Sequence, residues 1–259
     1  MLIARSLLFN ALFYANLLLW VLAALPLLLL PRKVLMRTAQ AWARSNLWLL
    51  RVIAATGAEF RGLDNIPPGP LLVAAKHQSL WETFALLTIF DDPTFVLKRE
   101  LMWIPLFGWL LWKAGMVPVD RRAGSAALKA MNERARRAVR QGRQILIFPE
   151  GTRRPPGAEP AYKSGIVHLY GDLNVACLPA ALNSGLFWPR RRLLRRPGTI
   201  VVEVLEPIAP GLSRKEFMSA LEARIEAASD RLLREGLAQL QVDSAGGHRQ
   251  VDRSIPQEK

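Results

Sequence analysis

Between residues 71 and 205, short apolar runs alternate with segments that have the apolar spacing of helices. This alternation is typical of α/β domains, in which helices connect the strands of a sheet and cover its faces. The sequence therefore predicts an α/β fold with a mixed, largely parallel sheet flanked by helices. The predicted strands lie at 71–75, 95–97, 116–119, 145–148, 175–182 and 199–205, and the predicted helices at 80–89, 104–114, 123–141 and 164–171.

The ends of this α/β region are marked by changes in composition. A turn-rich segment at 64–70 separates it from the N-terminal part of the chain. A final helix is predicted from Ser213, which forms a capping box with Glu216, to Gly236. We therefore predict three parts: an N-terminal membrane anchor with an interfacial helix at 1–60, the α/β domain at 61–240, and a polar, disordered tail at 241–259.

Residues 6–31 carry no charge and are rich in leucine. About 20 apolar residues suffice to cross a bilayer, and the apolar core of a cleaved signal peptide is shorter, about 7–15 residues. Asn10, Asn16 and Pro26 weaken a straight span in contact with lipid, so a crossing helix and a tilted, half-inserted helix both remain open. The segment is predicted to be an uncleaved anchor.

Basic residues around the anchor predict its orientation. Arg5 precedes it, whereas Arg32, Lys33 and Arg37 follow it closely. Because basic residues stay on the cytoplasmic side, we expect the anchor in the inner membrane and the α/β domain on its cytoplasmic side.

The segment at 34–53 is predicted to be a helix with one basic face. Arg37, Arg44 and Arg51 are spaced seven apart, and Leu35, Trp42 and Leu49 fall roughly opposite. Next to an anchor, such a helix is typical of the headgroup level of a membrane. The alternative is a helix packed on the domain with a solvated row of arginines.

The net charge of +14 predicts a polyanionic partner. Five arginines at 190–196 follow two aromatic residues, a composition that nucleic-acid-binding and lipid-binding surfaces share. With an anchor in the same chain, anionic membrane lipids are the favoured partner and nucleic acid is not expected. The chain has a single cysteine and three histidines, which excludes an internal disulfide and a dense histidine cluster, and we predict no metal site.

His77 follows a predicted buried strand, and Glu82 lies five residues further on. Ligands and catalytic groups of open α/β sheets gather at the carboxyl ends of the strands. A neutral imidazole is a suitable general base, and a carboxylate on its far nitrogen fixes the tautomer and stabilises the imidazolium. His77 and Glu82 are therefore candidates for a base and its orienting acid.

The hexapeptide at 148–153 also follows an apolar strand. Pro149 and Gly151 predict a turn, Gly151 lets the backbone approach a ligand, and Arg153 presents a planar fork suited to phosphate.

Together and in this order, the histidine with its acid and the hexapeptide resemble the phospholipid/glycerol acyltransferase family, and within it the 1-acylglycerol-3-phosphate acyltransferases. The resemblance covers roughly residues 70–205 and includes a second block at 115–122. It implies that His77 is the base and Glu82 its orienting acid, although the family's acid is usually aspartate. It also implies acceptor binding by Arg121, which would hold the phosphate, and by Glu150, Gly151, Thr152 and Arg153.

The activity that the resemblance implies is transfer of a fatty acyl group from acyl-CoA or acyl-acyl carrier protein. The acceptor would be the sn-2 hydroxyl of lysophosphatidic acid, the product phosphatidic acid, and no cofactor would be required. Two alternatives remain open. One is the same chemistry on another lysolipid or on glycerol-3-phosphate. The other is a non-catalytic, membrane-tethered protein that binds anionic lipid.

Overall fold

The computed structural model describes residues 1–120 and 123–249, with side chains as far as residue 241. It begins with a helical hairpin: α1 spans Leu2–Ala24, a 3-10 turn spans Pro26–Leu29, and α2 spans Arg32–Ala54. Leu2–Leu29 is long and apolar enough to cross a membrane, with a mean hydropathy of 2.2. The predicted N-terminal apolar helix is thus present.

Within the described residues, seven strands form one sheet, and β2 lies at its centre. In order across the sheet the strands are β1-β7-β6-β2-β5-β3-β4. Every neighbouring pair is parallel except β6 and β7, which confirms the predicted mixed, largely parallel sheet. The strands are β1 Thr56–Arg61, β2 Leu71–Ala75, β3 Pro93–Lys98, β4 Val117–Val119, β5 Gln144–Ile147, β6 Cys177–Leu182 and β7 Gly198–Val204.

Strand β1 was not predicted, because its sequence has no apolar run and contains Gly57, Glu59 and Arg61. It pairs with β7 from Thr56 to Arg61. The boundary predicted between residues 60 and 61 therefore falls inside a strand, and in the structure the sheet domain begins at Thr56.

The helices around the sheet overlap the predicted segments, except α7, for which the sequence predicted no helix. They are α3 Trp81–Ala85, α4 Phe107–Lys113, α5 Gly124–Arg140, α6 Gly165–Leu173, α7 Ser184–Phe187 and α8 Arg214–Arg249. α8 does not end at Gly236 as predicted. Gly236 is buried, and a methyl group at its Cα would lie 2.5 Å from Leu186 Cδ1. This glycine allows close packing rather than ending the helix, so the segment predicted as a tail is helical as far as Arg249.

The two faces of β2 are buried against different groups of helices. Leu71 and Val73 belong to the core formed with α1, α2 and α3, whereas Leu72 and Ala74 belong to the core formed with α5, α6 and α8. Side chains of a strand alternate between faces, so an all-apolar strand is buried on both sides. The central strand is thus fixed rigidly, and its carboxyl end leads directly to His77.

The polar residues of α1 face the protein. Asn10 Nδ2 donates to the carbonyl oxygen of Leu193 at 2.8 Å, and Arg195 Nη2 donates to Asn10 Oδ1 at 2.6 Å. Ser6 Oγ accepts from the backbone N–H of Arg195 at 2.9 Å. The first half of α1 is therefore attached to the loop that follows α7, while its leucines form the outer face: Leu7, Leu8, Leu12, Leu18, Leu19 and Leu22 are exposed.

α2 has the predicted amphipathic pattern. Arg37, Arg44 and Arg51 are exposed, whereas Leu35 and Leu50 are buried. Contact of this helix with a membrane remains a prediction.

Candidate active site

His77 and Glu82 are hydrogen-bonded at the carboxyl end of β2. Glu82 lies in the first turn of α3, and its Oε1 is 2.8 Å from His77 Nδ1. The backbone N–H groups of Gln78 and Ser79 donate to the same oxygen at 2.7 and 2.6 Å. Oε1 accepts from these two N–H groups, so Nδ1 of His77 is its third donor, and Nε2 is the ring nitrogen that Glu82 leaves without this contact. The longer glutamate reaches the histidine without difficulty.

Ser184 holds the second oxygen of Glu82. Its Oγ donates to Glu82 Oε2 at 2.7 Å, and both side chains are buried. Next to it, the backbone N–H of Gly185 donates to Gln78 Oε1 at 3.0 Å. Sequence reasoning missed Ser184, which is 102 residues from Glu82. The one feature of the sequence that could have revealed Ser184 is its position just after β6, because the carboxyl ends of β6 and β2 lie side by side.

The hexapeptide loop packs directly on the histidine. The rings of Phe148 and His77 stack with centroids 4.0 Å apart and an interplanar angle of 13°. Gly151 has a positive φ of 68°, and its N–H donates to the carbonyl oxygen of Phe148 at 2.9 Å, which forms the predicted turn. Parallel pairing of β2 with β5 brings the two loops to the same edge of the sheet.

The carboxylate of Glu150 points into the protein, where the Nζ atom of Lys76 lies 3.3 Å from its Oε1. Burial raises the pKa of Glu150, and the positive charge of Lys76 opposes this shift. Lys76 also donates to both carboxylate oxygens of Glu226 in α8, at 2.7 and 2.8 Å, and the hydroxyl of Tyr162 donates to Glu226 at 2.6 Å. Sequence reasoning missed this network, whose one visible signal was a lysine at the end of a buried strand.

The other predicted acceptor-binding residues lie on the open side of the same loop. Arg153 is half-buried and Thr152 is exposed. Burial lowers the pKa of Arg153, and the nearby positive charges of Arg190 and Arg191 lower it further. Arg121 lies outside the described residues.

A cavity of about 1270 Å³ connects these residues to the helical hairpin. His77 and the loop with Arg153 lie in its wall, and the remainder of the lining is largely apolar. Such a cavity suits a ligand with a long apolar chain and a polar group beside His77. The apolar wall includes Phe13, Leu17 and Val21 of α1, Met36 and Trp42 of α2, and Phe107, Leu110 and Leu111 of α4.

A histidine that is hydrogen-bonded to a buried carboxylate and lies in the wall of an apolar cavity suits chemistry on lipids, and comparison with known proteins agrees. The acyltransferase family model matches residues 57–183. A 1-acyl-sn-glycerol-3-phosphate acyltransferase of Pseudomonas aeruginosa is 41% identical over 165 residues, which are 64% of each chain. A lyso-ornithine lipid O-acyltransferase of the same organism is 31% identical over 199 residues, 70% of this chain and 76% of that one. The chain belongs to the acyltransferase family.

The fold agrees with a solved structure from this family. The 1-acyl-sn-glycerophosphate (LPA) acyltransferase PlsC of Thermotoga maritima superposes with a TM-score of 0.76 at 24% identity. The match covers 90% of this chain and 98% of that one. Against the Pseudomonas 1-acyl-sn-glycerol-3-phosphate acyltransferase and the mouse alpha form, the match spans 64% and 66% of the relative's length.

Proposed function

We propose that the protein transfers a fatty acyl group from a thioester to the sn-2 hydroxyl of lysophosphatidic acid, which gives phosphatidic acid. The observation that carries this proposal is His77, which lies in the wall of an apolar cavity and is hydrogen-bonded to the buried carboxylate of Glu82. The names of the relatives support the choice of acceptor. The donor would be acyl-CoA or acyl-acyl carrier protein.

In the proposed reaction, His77 acts as the general base. Its Nε2 takes the proton of the acceptor hydroxyl while the hydroxyl oxygen attacks the thioester carbonyl carbon. The tetrahedral intermediate collapses, the carbon–sulfur bond breaks, and the leaving thiolate takes the proton from the imidazolium. Glu82 stabilises the imidazolium between these two steps. The acceptor is itself the nucleophile, so the reaction needs no acyl-enzyme.

The hexapeptide loop would bind the acceptor. Arg153, together with Arg121, would hold the phosphate, because a guanidinium donates two parallel hydrogen bonds to phosphate oxygens. Gly151 and Thr152 lie on the cavity side of the loop. Glu150 would support the loop rather than contact the acceptor, because the ion pair between its carboxylate and Lys76 holds the loop against the end of β2.

The same proposal places the protein on the cytoplasmic side of the inner membrane, with residues 6–31 entering the bilayer without crossing it. A crossing helix would expose its polar side chains to lipid, but Ser6 and Asn10 are bound to the loop at 193–195. At the start of α1, Arg5 Nε donates to the carbonyl oxygen of Ile53 at 2.6 Å, so both ends of the hairpin meet on one side. The exposed leucines of α1 would contact the acyl chains of one leaflet.

The test is acyl transfer by the detergent-solubilised protein with labelled acyl-CoA and, separately, labelled acyl-acyl carrier protein. Lysophosphatidic acid, glycerol-3-phosphate, a lyso-ornithine lipid and lysophosphatidylcholine are offered side by side. His77→Ala is compared with His168→Ala, a histidine of α6 outside the cavity lining.

We expect phosphatidic acid from lysophosphatidic acid, its loss in His77→Ala and its retention in His168→Ala. A preference for the lyso-ornithine lipid, the acceptor of the second relative, would replace the proposed acceptor and keep the chemistry. Transfer to none of the four from either donor would favour a lipid-binding protein instead.

A further inference from the structure

Arg190 lies beside the hexapeptide loop, although it is distant from it in sequence. It is the first arginine of the 190–196 segment and is exposed to solvent. Its Nη1 donates to the carbonyl oxygen of Arg153 at 2.9 Å, and Arg190 belongs to the wall of the cavity that contains His77. This wall includes none of the other arginines of the segment, 191, 192, 195 and 196.

Positive charge is concentrated at this point without a matching acid. Within the described part of the chain, no carboxylate lies within 4.0 Å of the guanidinium of Arg153 or of Arg190. The carboxylate of Glu82 is near enough to act on Arg153 through its charge, but it is fully buried and occupied by His77 and Ser184. Burial and the charges of Arg190 and Arg191 lower the pKa of Arg153. An anion between the two guanidinium groups would relieve this repulsion.

We propose that Arg190 and Arg153 together form the subsite that binds the phosphomonoester of the acceptor. The inference rests on the proposed function and adds to it a residue outside the three sequence blocks described above, which contain His77 and Glu82, residues 115–122 and residues 148–153. A phosphomonoester carries up to two negative charges and has three terminal oxygens, which matches two guanidinium groups on one wall. The apolar remainder of the cavity accepts the acyl chain of the same molecule.

The experiment compares Arg190→Gln with Arg192→Gln in mixed detergent micelles. Arg192 belongs to the same exposed segment but lies outside the cavity wall, and Arg192→Gln removes the same charge as Arg190→Gln. We expect the KM for lysophosphatidic acid to rise about tenfold or more in Arg190→Gln, because a charge-assisted hydrogen bond to the phosphate is lost. The kcat is expected to change less, and Arg192→Gln is expected to retain the wild-type KM.

Two further measurements distinguish the acceptor's phosphate from the headgroups of the membrane. In the first, lysophosphatidylcholine replaces lysophosphatidic acid; its phosphate is a diester, so Arg190→Gln should reduce the wild-type preference for the monoester. In the second, flotation with vesicles that contain phosphatidylglycerol should show equal binding by the two variants. Arg190→Lys, which keeps the charge but loses the planar fork, should regain part of the activity.

Equal KM values in Arg190→Gln and Arg192→Gln would overturn the inference, while the proposed function would stand if His77→Ala remained inactive. Loss of vesicle binding in Arg190→Gln alone, with normal kinetics in micelles, would also overturn it and assign Arg190 to the membrane surface. Failure of the wild type to make phosphatidic acid would refute the proposed function itself.

Discussion

In the proposed reaction Glu82 orients His77 and stabilises its charged form, and Glu82→Gln separates these two roles. Three N–H groups converge on Glu82 Oε1, from His77, Gln78 and Ser79. In the variant, the amide oxygen must take this position, because an NH2 group there would face three donors. The amide NH2 then lies where Oε2 was and donates to Ser184 Oγ. The two backbone donors thus hold the amide in the orientation that preserves the histidine tautomer, and the negative charge is lost.

The structure gives the size of the expected effect. With Nδ1 and Oε1 2.8 Å apart, the charges of the imidazolium and the carboxylate are centred roughly 4 Å apart. At an effective dielectric constant of about 20 this interaction is worth about 4 kcal/mol, which corresponds to roughly a thousandfold in rate. The side chain of His77 is 14% exposed, so solvent weakens the interaction. We therefore expect kcat to fall about 100- to 1000-fold.

The assay is steady-state acyl transfer at constant pH, with thermal melting as the check on folding. Glu82→Ala is the comparison variant, because it removes the acceptor of all three N–H groups as well as the charge. It should lose more activity than Glu82→Gln and melt at a lower temperature. Activity of Glu82→Gln within about tenfold of wild type would refute the role of the charge. Equal activity of the two variants would refute the argument that the amide keeps its orientation.

Two further predictions concern stability. Burial alone would raise the pKa of Asp92, but hydrogen bonds from Arg32 and the charge of Arg143 hold it below its usual 3.8. The resulting stabilisation is complete above about pH 4 and is lost as pH falls through the lower folded-state pKa. In Asp92→Asn, the free energy of unfolding measured in urea should therefore depend less on pH than in the wild type. An unchanged pH dependence would contradict this. Gly108→Ala should lower the melting temperature, since its new methyl group would lie 2.1 Å from the Met102 carbonyl oxygen. Gly171→Ala, in α6, would place its methyl group within 4 Å of no atom beyond its chain neighbours and the backbone of its own helix, so it should raise the melting temperature slightly. Equal shifts for the two variants would refute the packing argument.

The sequence predicted the elements that carry a local apolar pattern. Residues 71–75 and 124–140 are examples, because burial on both faces or on one helical face leaves a clear spacing of apolar residues. It failed at β1, because the six residues of β1 show little alternation of apolar and polar side chains and form a strand through their pairing with β7. It also failed at Gly236, where close packing between α8 and Leu186 requires a residue type that more often ends a helix.

The residues of the candidate site likewise fall into two groups, those that a local sequence pattern predicts and those that only the tertiary fold brings together. His77 and Glu82 are five residues apart, so a short turn brings them together and a local pattern reveals them. Ser184 and Glu226 reach the site only through the order of the strands and the docking of α8. No local pattern contains that information. Asn10 was interpreted from composition as a weak point in a membrane helix, whereas its side chain holds that helix to the protein.

The hydrogen-bonded ion pair of Lys76 and Glu226 joins residues that are 150 positions apart, and this separation affects the order in which parts of the protein fold during synthesis. Synthesis proceeds from the N-terminus, so the apolar hairpin leaves the ribosome before the sheet, and Glu226 leaves it much later. Until α8 docks, the ammonium of Lys76 can pair with Glu150 but lacks the second carboxylate, that of Glu226. The apolar hairpin is therefore synthesised well before the contact between Lys76 and α8 can fix the loops that carry His77 and Glu150.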